Sequence, residues 1–265
     1  MATRTGTRAL VTGASSGIGE AFARALGRRG DDLVLVARSA PRLEALAEEL
    51  RAECGVDVEV LPADLVEPEG LAAVEERLRD PGRLIGLLVN NAGFGTAGRF
   101  AELRVDEEER EIRLNVLALV RLTHTALMVM AMRGSGAIVN VSSLAAYQPN
   151  PGMATYGATK AFVSSFTQAV HEEAKGQGVH VMLVCPGFTR TEFQARAGVD
   201  QSDVPGFAWM TADAVASEAV RALERKRAVC IPGTLYRVTA TLSDSTPSGL
   251  TRRIAGLVLR RTATR

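Results

Sequence analysis

The stretch that decides the fold is Arg8-Ala9-Leu10-Val11-Thr12-Gly13-Ala14-Ser15-Ser16-Gly17-Ile18-Gly19. It opens with an apolar run typical of a buried strand, and a helical pattern begins directly after the glycines and ends near Gly30. Glycines let a backbone turn tightly beside a pyrophosphate, and a helix N-terminus adds unpaired N–H groups and the positive end of a dipole. This strand, turn and helix therefore predict a phosphate-binding loop, although the same residues also fit a plain strand-to-helix turn.

Outward from this unit, apolar runs of strand length alternate with helical patterns along the chain. Further strands are predicted at 33–37, 56–60, 84–89, 137–141, 179–185 and 228–231, and a long helix is predicted at 106–132. Such alternation implies right-handed crossovers and a parallel sheet. We therefore predict an α/β fold, built as one domain over residues 1–265, with helices on both faces of the sheet.

The overall composition limits the classes of function. The chain has 265 residues, is 46% hydrophobic and 23% charged, and carries a formal net charge of +1, so no nucleic-acid partner is expected. The three cysteines, Cys54, Cys185 and Cys230, lack metal-ligand spacing and are expected to be reduced thiols, with no metal bound. No signal region and no integral membrane segment are expected, so the predicted location is the cytoplasm.

A second stretch, 142–160, carries the chemistry. A predicted strand ends at Ser142 and Ser143, a loop rich in Pro, Gly and Asn follows, and Tyr156 and Lys160 then share one helix face. A free phenol has a pKa near ~10, and a neighbouring ammonium lowers it. This pair suits general acid–base catalysis at a carbonyl or an alcohol. Taken alone, Tyr-x-x-x-Lys is a common spacing that equally fits an ordinary helix.

The remaining polar and glycine motifs all follow predicted strands. In a parallel sheet a ligand lies beyond the carboxyl ends of the strands, so residues that the chain scatters widely are expected to converge there. The residues at these ends are Gly13, Arg38, Asp64, Asn91, Ser143 and Gly187.

Together these motifs resemble the short-chain dehydrogenase/reductase family in its soluble single-domain form. The matches lie between Thr7 and Thr191 and comprise 12–19, Asp64, 90–93, Asn115, Ser143, Tyr156 with Lys160, and Pro186-Gly187 with Thr189. The resemblance implies a Rossmann-type, doubly wound parallel sheet of about seven strands. It also implies hydride transfer between a nicotinamide cofactor and the carbonyl or secondary alcohol of a small substrate. Beyond Thr191 the chain matches any one substrate group less well, and the aromatic residues between 188 and 210 are what indicate an apolar substrate.

The resemblance assigns a role to each matched residue. Tyr156 is the acid–base, and Lys160 holds the nicotinamide ribose hydroxyls and depresses the phenol pKa. Ser143, rather than Ser142, hydrogen-bonds the substrate oxygen, and Asn115 positions a water in a proton relay. The cofactor-binding residues are expected to be Gly13, Ser15, Ser16, Gly17, Ile18, Gly19, Arg38, Asp64, Leu65, Asn91, Ala92, Gly93, Tyr156, Lys160, Pro186, Gly187 and Thr189.

The end of the second strand predicts the choice of cofactor. An NAD-preferring enzyme places Asp or Glu there to bind the adenosine ribose, whereas this strand ends in Ala37 and is followed by Arg38. A guanidinium can bind a 2′-phosphate in a forked pair, so NADP(H) is expected to be favoured over NAD(H). The alternative is that Arg38 is a solvated charge at the start of a helix.

Segment 189–211 is expected to form a lid over the substrate. Its aromatic and apolar residues would cover the site, although they equally fit the core of a surface flap. The expected substrate contacts are Phe94, Ser143, Ala145, Phe188, Phe193 and Trp209, and Phe207 and Met210 belong to the same apolar group.

Two surfaces are expected to bind another protein chain or a membrane. The helical patterns at 106–132 and after Thr155 carry wide apolar faces, and the family pairs these helices, which implies a homodimer or homotetramer. The residues of these faces include Leu114, Leu117, Leu122, Phe162 and Phe166. The basic C-terminal segment 235–265 fits an amphipathic helix docked on protein, or a helix on an anionic membrane surface.

Two other functions share these motifs. One is a catalytically silent protein that binds the dinucleotide as a regulator, and the other is an epimerase or dehydratase. Binding alone does not require Asn115, Ser143, Tyr156 and Lys160 together, and epimerases usually need a further substrate-binding domain.

Overall fold

The computed structural model describes residues 6–198 and 204–238. Its strands are β1 (Arg8–Thr12), β2 (Asp32–Ala37), β3 (Val58–Pro62), β4 (Leu87–Asn90), β5 (Gly136–Val141), β6 (Val179–Val184), β7 (Thr189–Arg190), β8 (Met210–Thr211) and β9 (Val229–Cys230). Seven of them form one parallel sheet in the order β3-β2-β1-β4-β5-β6-β9, and β7 pairs with β8. The order runs outward from β1 in both directions, which confirms the predicted doubly wound fold.

Helices cover both faces of this sheet. They are α1 (Gly17–Arg29), α2 (Ala40–Cys54), α3 (Pro68–Arg79), α4 (Val105–Ile112), α5 (Leu119–Met132), α6 (Ala154–Ala174), α7 (Phe193–Ala197) and α8 (Ala212–Glu224). One core lies under α1, α2 and α8, and the other lies under α3, α5 and α6. The side chains of β2 alternate between the two cores, and Leu33 through Val36 are fully buried. A strand covered on both faces therefore has a continuous apolar run instead of alternation.

The long helix predicted at 106–132 forms, but a wide π-helical segment at Arg113–Ala118 joins α4 to α5. By length and composition alone, Val105–Met132 would suffice to cross a membrane. Core helices of soluble proteins pass the same test, and here Leu122, Ala126 and Met130 pack into the core beneath the sheet. The π-helical segment carries Asn115, and such segments are frequent at functional sites.

Some strand and helix boundaries differ from the sequence prediction. β4 begins at Leu87 instead of residue 84, because its pairing with β1 and β5 starts there. The last strand is shorter than predicted and comprises Val229–Cys230. Of the C-terminal segment 235–265, residues 239–265 lie outside the described residues, and its predicted basic helix falls there.

The expected interface faces are partly exposed. Leu117 and Phe162 are 48% and 43% exposed, and Ile112, Met128 and Met132 extend the apolar surface of the long helix. Leu122 was wrongly assigned to this surface, because it points inward and is 1% exposed. The helix therefore divides its apolar residues between the core and an uncovered face.

Candidate active site

The glycine-rich loop joins β1 to α1, and its glycine positions have little room for a side chain. Gly13 and Gly17 have φ values of 68° and 59°, which favour glycine. A Cβ on Gly19 would overlap the carbonyl oxygen of Gly13. Thr12 Oγ1 accepts hydrogen bonds of 3.0 Å from the backbone N–H groups of Asn91 and Ala92, and this ties the end of β1 to the end of β4.

A cavity of about 1440 Å³ opens beyond these strand ends. It runs from Ser15, Ser16 and Arg38 to Tyr156 and Lys160. Pockets for drug-sized ligands typically measure about 300–1,000 Å³, so this one has room for an extended ligand together with a second molecule. All the expected cofactor contacts except Gly19 line it, and Gly19 instead shapes the turn beneath.

The end of the cavity farthest from Tyr156 and Lys160 carries two arginines, Arg38 and Arg42. Arg38 follows β2, is exposed, and has no hydrogen bond or ion pair with the described residues. Arg42, one turn into α2, reaches across the cleft to Glu192, with Nη1 3.1 Å from Oε2. Asp64 accepts a 3.0 Å hydrogen bond from the backbone N–H of Val66, and this orders the turn after β3.

The two serines after β5 face different neighbours. Ser142 Oγ donates to the carbonyl oxygen of Lys160 at 2.7 Å and also contacts Ser164 Oγ. Its hydroxyl therefore links β5 to α6 within the protein interior. Ser143 Oγ accepts from the backbone N–H of Ala145 at 3.1 Å and makes a hydrogen bond with Tyr156. Ser143 therefore faces the cavity beside the phenol, as a contact to a substrate oxygen requires.

Tyr156 lies on the first turn of α6, where its ring packs against the tilted ring of Phe193 at a centroid distance of 5.1 Å. Burial raises the pKa of Tyr156 to about 12, and the hydrogen bond from Ser143 only partly opposes this. The net shift of this pKa is upward, opposite to the lowering expected from Lys160. Loss of solvation dominates, and the Lys160 ammonium lies 5.7 Å from the ring centroid. The phenol is therefore protonated at neutral pH.

Lys160 and Asn115 lie behind the phenol. Lys160 is 5% exposed, and its Nζ donates to the carbonyl oxygen of Val141 at 3.1 Å. Burial lowers its pKa to about 8. Asn115 Nδ2 donates to Phe94 O at 2.8 Å and to Thr159 Oγ1 at 3.1 Å, so the amide joins the π-helical segment to α6.

The residues present fit a dinucleotide. The glycine cradle leaves space for a pyrophosphate at the N-terminus of α1, the exposed Arg38 lies at one end of the cavity, and Tyr156 and Lys160 lie at the other. A family model described as short chain dehydrogenase matches residues 7–202. This chain belongs to the short-chain dehydrogenase family.

Solved structures and curated relatives agree with this assignment. A short-chain dehydrogenase from Sphingobium yanoikuyae in complex with NADPH is 43% identical, with a TM-score of 0.84 over 92% of this chain and 94% of that one. A bulky-bulky ketone specific alcohol dehydrogenase from Comamonas testosteroni is 37% identical, with a TM-score of 0.79 over 90% and 91%. A very-long-chain 3-oxoacyl-CoA reductase of Anas platyrhynchos is 35% identical, and the match covers 71% of this chain but only 61% of that reductase.

In this short-chain dehydrogenase the expected lid residues have different positions. Phe188 and Phe193 line the cavity, as do Phe94 and Ala145. Trp209 packs behind Phe188 at a centroid distance of 5.6 Å and does not contribute to the lining among the described residues. Phe207 is 81% exposed. Residues 199–203 of this segment lie outside the described residues.

Three further residues shape the site without a signal in the sequence. Tyr236 lines the cavity, and its hydroxyl accepts from Phe188 N at 3.1 Å and donates to the carbonyl oxygen of Ala208, which links residues 188 and 208 across the intervening segment. Gln194 Nε2 donates to Thr189 O at 2.8 Å. Glu111 is completely buried beside Asn115. Their sequence contexts are those of ordinary surface residues, so only long-range packing identifies them.

Proposed function

We propose that this protein is an NADP(H)-dependent oxidoreductase that reduces the carbonyl of a small, apolar ketone, or oxidises the corresponding secondary alcohol. The observation that carries the proposal is one continuous cavity with a glycine cradle at its middle, Arg38 at one end, and Ser143, Tyr156 and Lys160 at the other.

The proposed mechanism assigns each step to a side chain. A bound reduced nicotinamide would supply the hydride. Tyr156, which is protonated at neutral pH, delivers its proton to the substrate oxygen, and Ser143 donates a hydrogen bond to the same oxygen as negative charge develops there. The Lys160 ammonium stabilises the phenolate that remains, and Asn115 holds the backbone of Phe94 beside them.

The preference for NADP(H) rests on the end of β2. Ala37 offers a ribose hydroxyl no acceptor and a 2′-phosphate no repulsion, while Arg38 is free to bind that phosphate. Arg42 and Ser39 line the same end of the cavity. The Sphingobium relative was solved with NADPH, which supports the same preference here.

The substrate class rests on the cavity wall around Tyr156. The apolar side chains there are Phe94, Leu144, Ala145, Met153, Phe188 and Phe193. Such a wall favours an apolar substrate, with Ser143 and Tyr156 orienting its one polar oxygen. The Comamonas relative is described as a ketone-specific alcohol dehydrogenase, which supports a ketone as the substrate.

The proposal extends to assembly and location. The exposed apolar face formed by Ile112, Leu117, Met128, Met132 and Phe162 is suited to pairing with a second copy, as a homodimer or homotetramer. The free thiols of Cys54, Cys185 and Cys230 are compatible with the reducing environment of the cytoplasm.

The test is turnover of NADPH, followed by absorbance, with a panel of ketones, aldehydes and alcohols. Apolar ketones should be reduced fastest, and Tyr156→Phe should abolish turnover while NADPH still binds with nearly unchanged affinity. Binding without turnover of any compound would favour the silent regulator, and unchanged kcat in Tyr156→Phe would overturn the proposed role of the phenol.

A further inference from the structure

Two buried carboxylates lie beside the catalytic residues and have no role in the mechanism above. Glu108 and Glu111, almost one turn apart on α4, are 5% and 0% exposed. Both contact Thr96, whose Oγ1 lies 2.5 Å from Glu108 Oε1 and 3.0 Å from Glu111 Oε2. One hydroxyl proton can satisfy only one of these carboxylates, and Thr155 Oγ1 donates to Glu108. The negative charge of Glu111 therefore receives fewer side-chain hydrogen bonds than that of Glu108.

Glu111 has an unpaired oxygen in the protein interior. Its Oε2 accepts a 2.9 Å hydrogen bond from the backbone N–H of Thr96, but its Oε1 has no partner among the described residues. A buried carboxylate without a full set of partners is costly, and a natural fold that keeps one requires an explanation.

The segment that Glu111 holds supports both catalytic side chains. Asn115 binds the N–H and C=O groups of Phe94 at 3.2 and 2.8 Å, and Glu111 binds Thr96, so the segment is fixed at two points. Between them, a Cβ on Gly95 would lie 2.8 Å from the Tyr156 ring. A Cβ on Gly93 would lie 3.4 Å from Lys160 Nζ. A shift of this segment would therefore displace Tyr156 and Lys160.

The charge of Glu111 also acts on Lys160. Burial disfavours the Lys160 ammonium and lowers its pKa, and Glu111 is the leading group that opposes this. The ionisable groups that face Glu111 are Glu108 on its own helix and Lys160 and Tyr156 on α6. Lys160 is the one cation among them, so it is the group that benefits from a negative charge at Glu111.

We propose that Glu111 is a positioning residue for the reaction proposed above: it holds the Phe94–Thr96 segment against Tyr156 and Lys160, and its carboxylate keeps the buried Lys160 ammonium charged. The reaction itself rests on the proposed function. The effect on Lys160 does not, because it can be measured in the protein without cofactor or substrate.

The chain is well suited to that measurement, because it contains only three lysines, Lys160, Lys175 and Lys226, and the last two are exposed. Protein labelled with ¹³C-lysine is titrated by NMR in the wild type, in Glu111→Gln and in Glu109→Gln. Glu109 is exposed on the same helix and provides the matched control. We expect the Lys160 midpoint to fall by about one pH unit or more in Glu111→Gln and to stay unchanged in Glu109→Gln.

A second variant separates the charge from the position. Glu111→Asp keeps the charge but shortens the reach to Thr96, so the Lys160 midpoint should stay near the wild-type value while kcat falls. In Glu111→Gln the alkaline limit of kcat/KM should move to lower pH by the same amount as the midpoint. An unchanged Lys160 midpoint in Glu111→Gln overturns the proposal. A shifted midpoint in a protein that reduces no carbonyl supports the effect on Lys160 and overturns the proposed function.

Discussion

Replacement of Glu111 by glutamine should stabilise the protein at pH 8 and have little effect at pH 5. Burial raises the pKa of this carboxyl from 4.5 to about 7. The folded protein then binds the proton more tightly than the unfolded chain does. The free energy of unfolding is therefore highest below the unfolded pKa and falls as the pH rises from about 4.5 to about 7. Glutamine resembles the protonated form and loses no proton.

The magnitude follows from the size of that shift. Each pKa unit corresponds to about 1.4 kcal/mol, so ionised Glu111 costs roughly 3 kcal/mol, which is an upper value because solvent and structural relaxation reduce it. In a domain of this size about 1 kcal/mol moves Tm by about 2–4 °C, so Glu111→Gln should raise Tm by up to roughly 6–12 °C at pH 8.

The assay is thermal unfolding followed by circular dichroism at pH 5 and pH 8, with Glu109→Gln as the exposed control. The reasoning would be refuted by a Tm difference between Glu111→Gln and wild type that is the same at both pH values. It would also be refuted by a lower Tm for the variant at pH 8. A gain in stability together with a loss of activity would show that the buried charge is kept for function.

Three further predictions concern the cofactor, the phenol and assembly. Charge-assisted hydrogen bonds contribute roughly 1.5–3 kcal/mol each, so the wild type should prefer NADPH over NADH by at least ~10-fold. Arg38→Ala should erase most of this preference by raising the KM for NADPH more than the KM for NADH. An equal or higher kcat/KM with NADH in the wild type would exclude the proposed role of Arg38. Gly95→Ala would place a Cβ 2.8 Å from the Tyr156 ring and displace the phenol, so kcat should fall by roughly 10–100-fold. The affinity for NADPH, measured by fluorescence, should change little, and an unchanged kcat would contradict the close packing of residue 95 on the ring. Light scattering should give a multiple of the 28.1 kDa chain mass, and a monomer alone at working concentration would refute the proposed pairing.

Local patterns in the sequence determined the fold and the location of the site. The strand, glycine turn and helix at 8–19 and the later alternation of apolar runs predict a parallel sheet, and the chemical motifs each follow a strand. Because parallel strands end at one edge, the convergence of Gly13, Asn91, Ser143 and Gly187 could be deduced without coordinates, and the structure places them around one cavity.

Properties that depend on burial could not be deduced in this way. Glu111 stands in a run of acidic and basic residues that is typical of a solvated helix face, yet α4 packs it against Thr96 and α6. The sequence argument expected Lys160 to lower the pKa of Tyr156, whereas loss of solvation raises it. Leu122 shows the same limit, since an apolar helix pattern does not say which residues face the core.

Segment 189–211 was the part of the cavity that the sequence predicted least well. The sequence showed that the segment is rich in aromatic residues, but not that Phe193 contacts the Tyr156 ring while Trp209 packs behind Phe188. Tyr236, far along the chain, links residues 188 and 208. Secondary structure follows from neighbours a few residues apart, and so the sequence alone determined it. Burial, ionisation and the contacts of segment 189–211 depend on residues tens of positions apart, and so only the tertiary structure decided them.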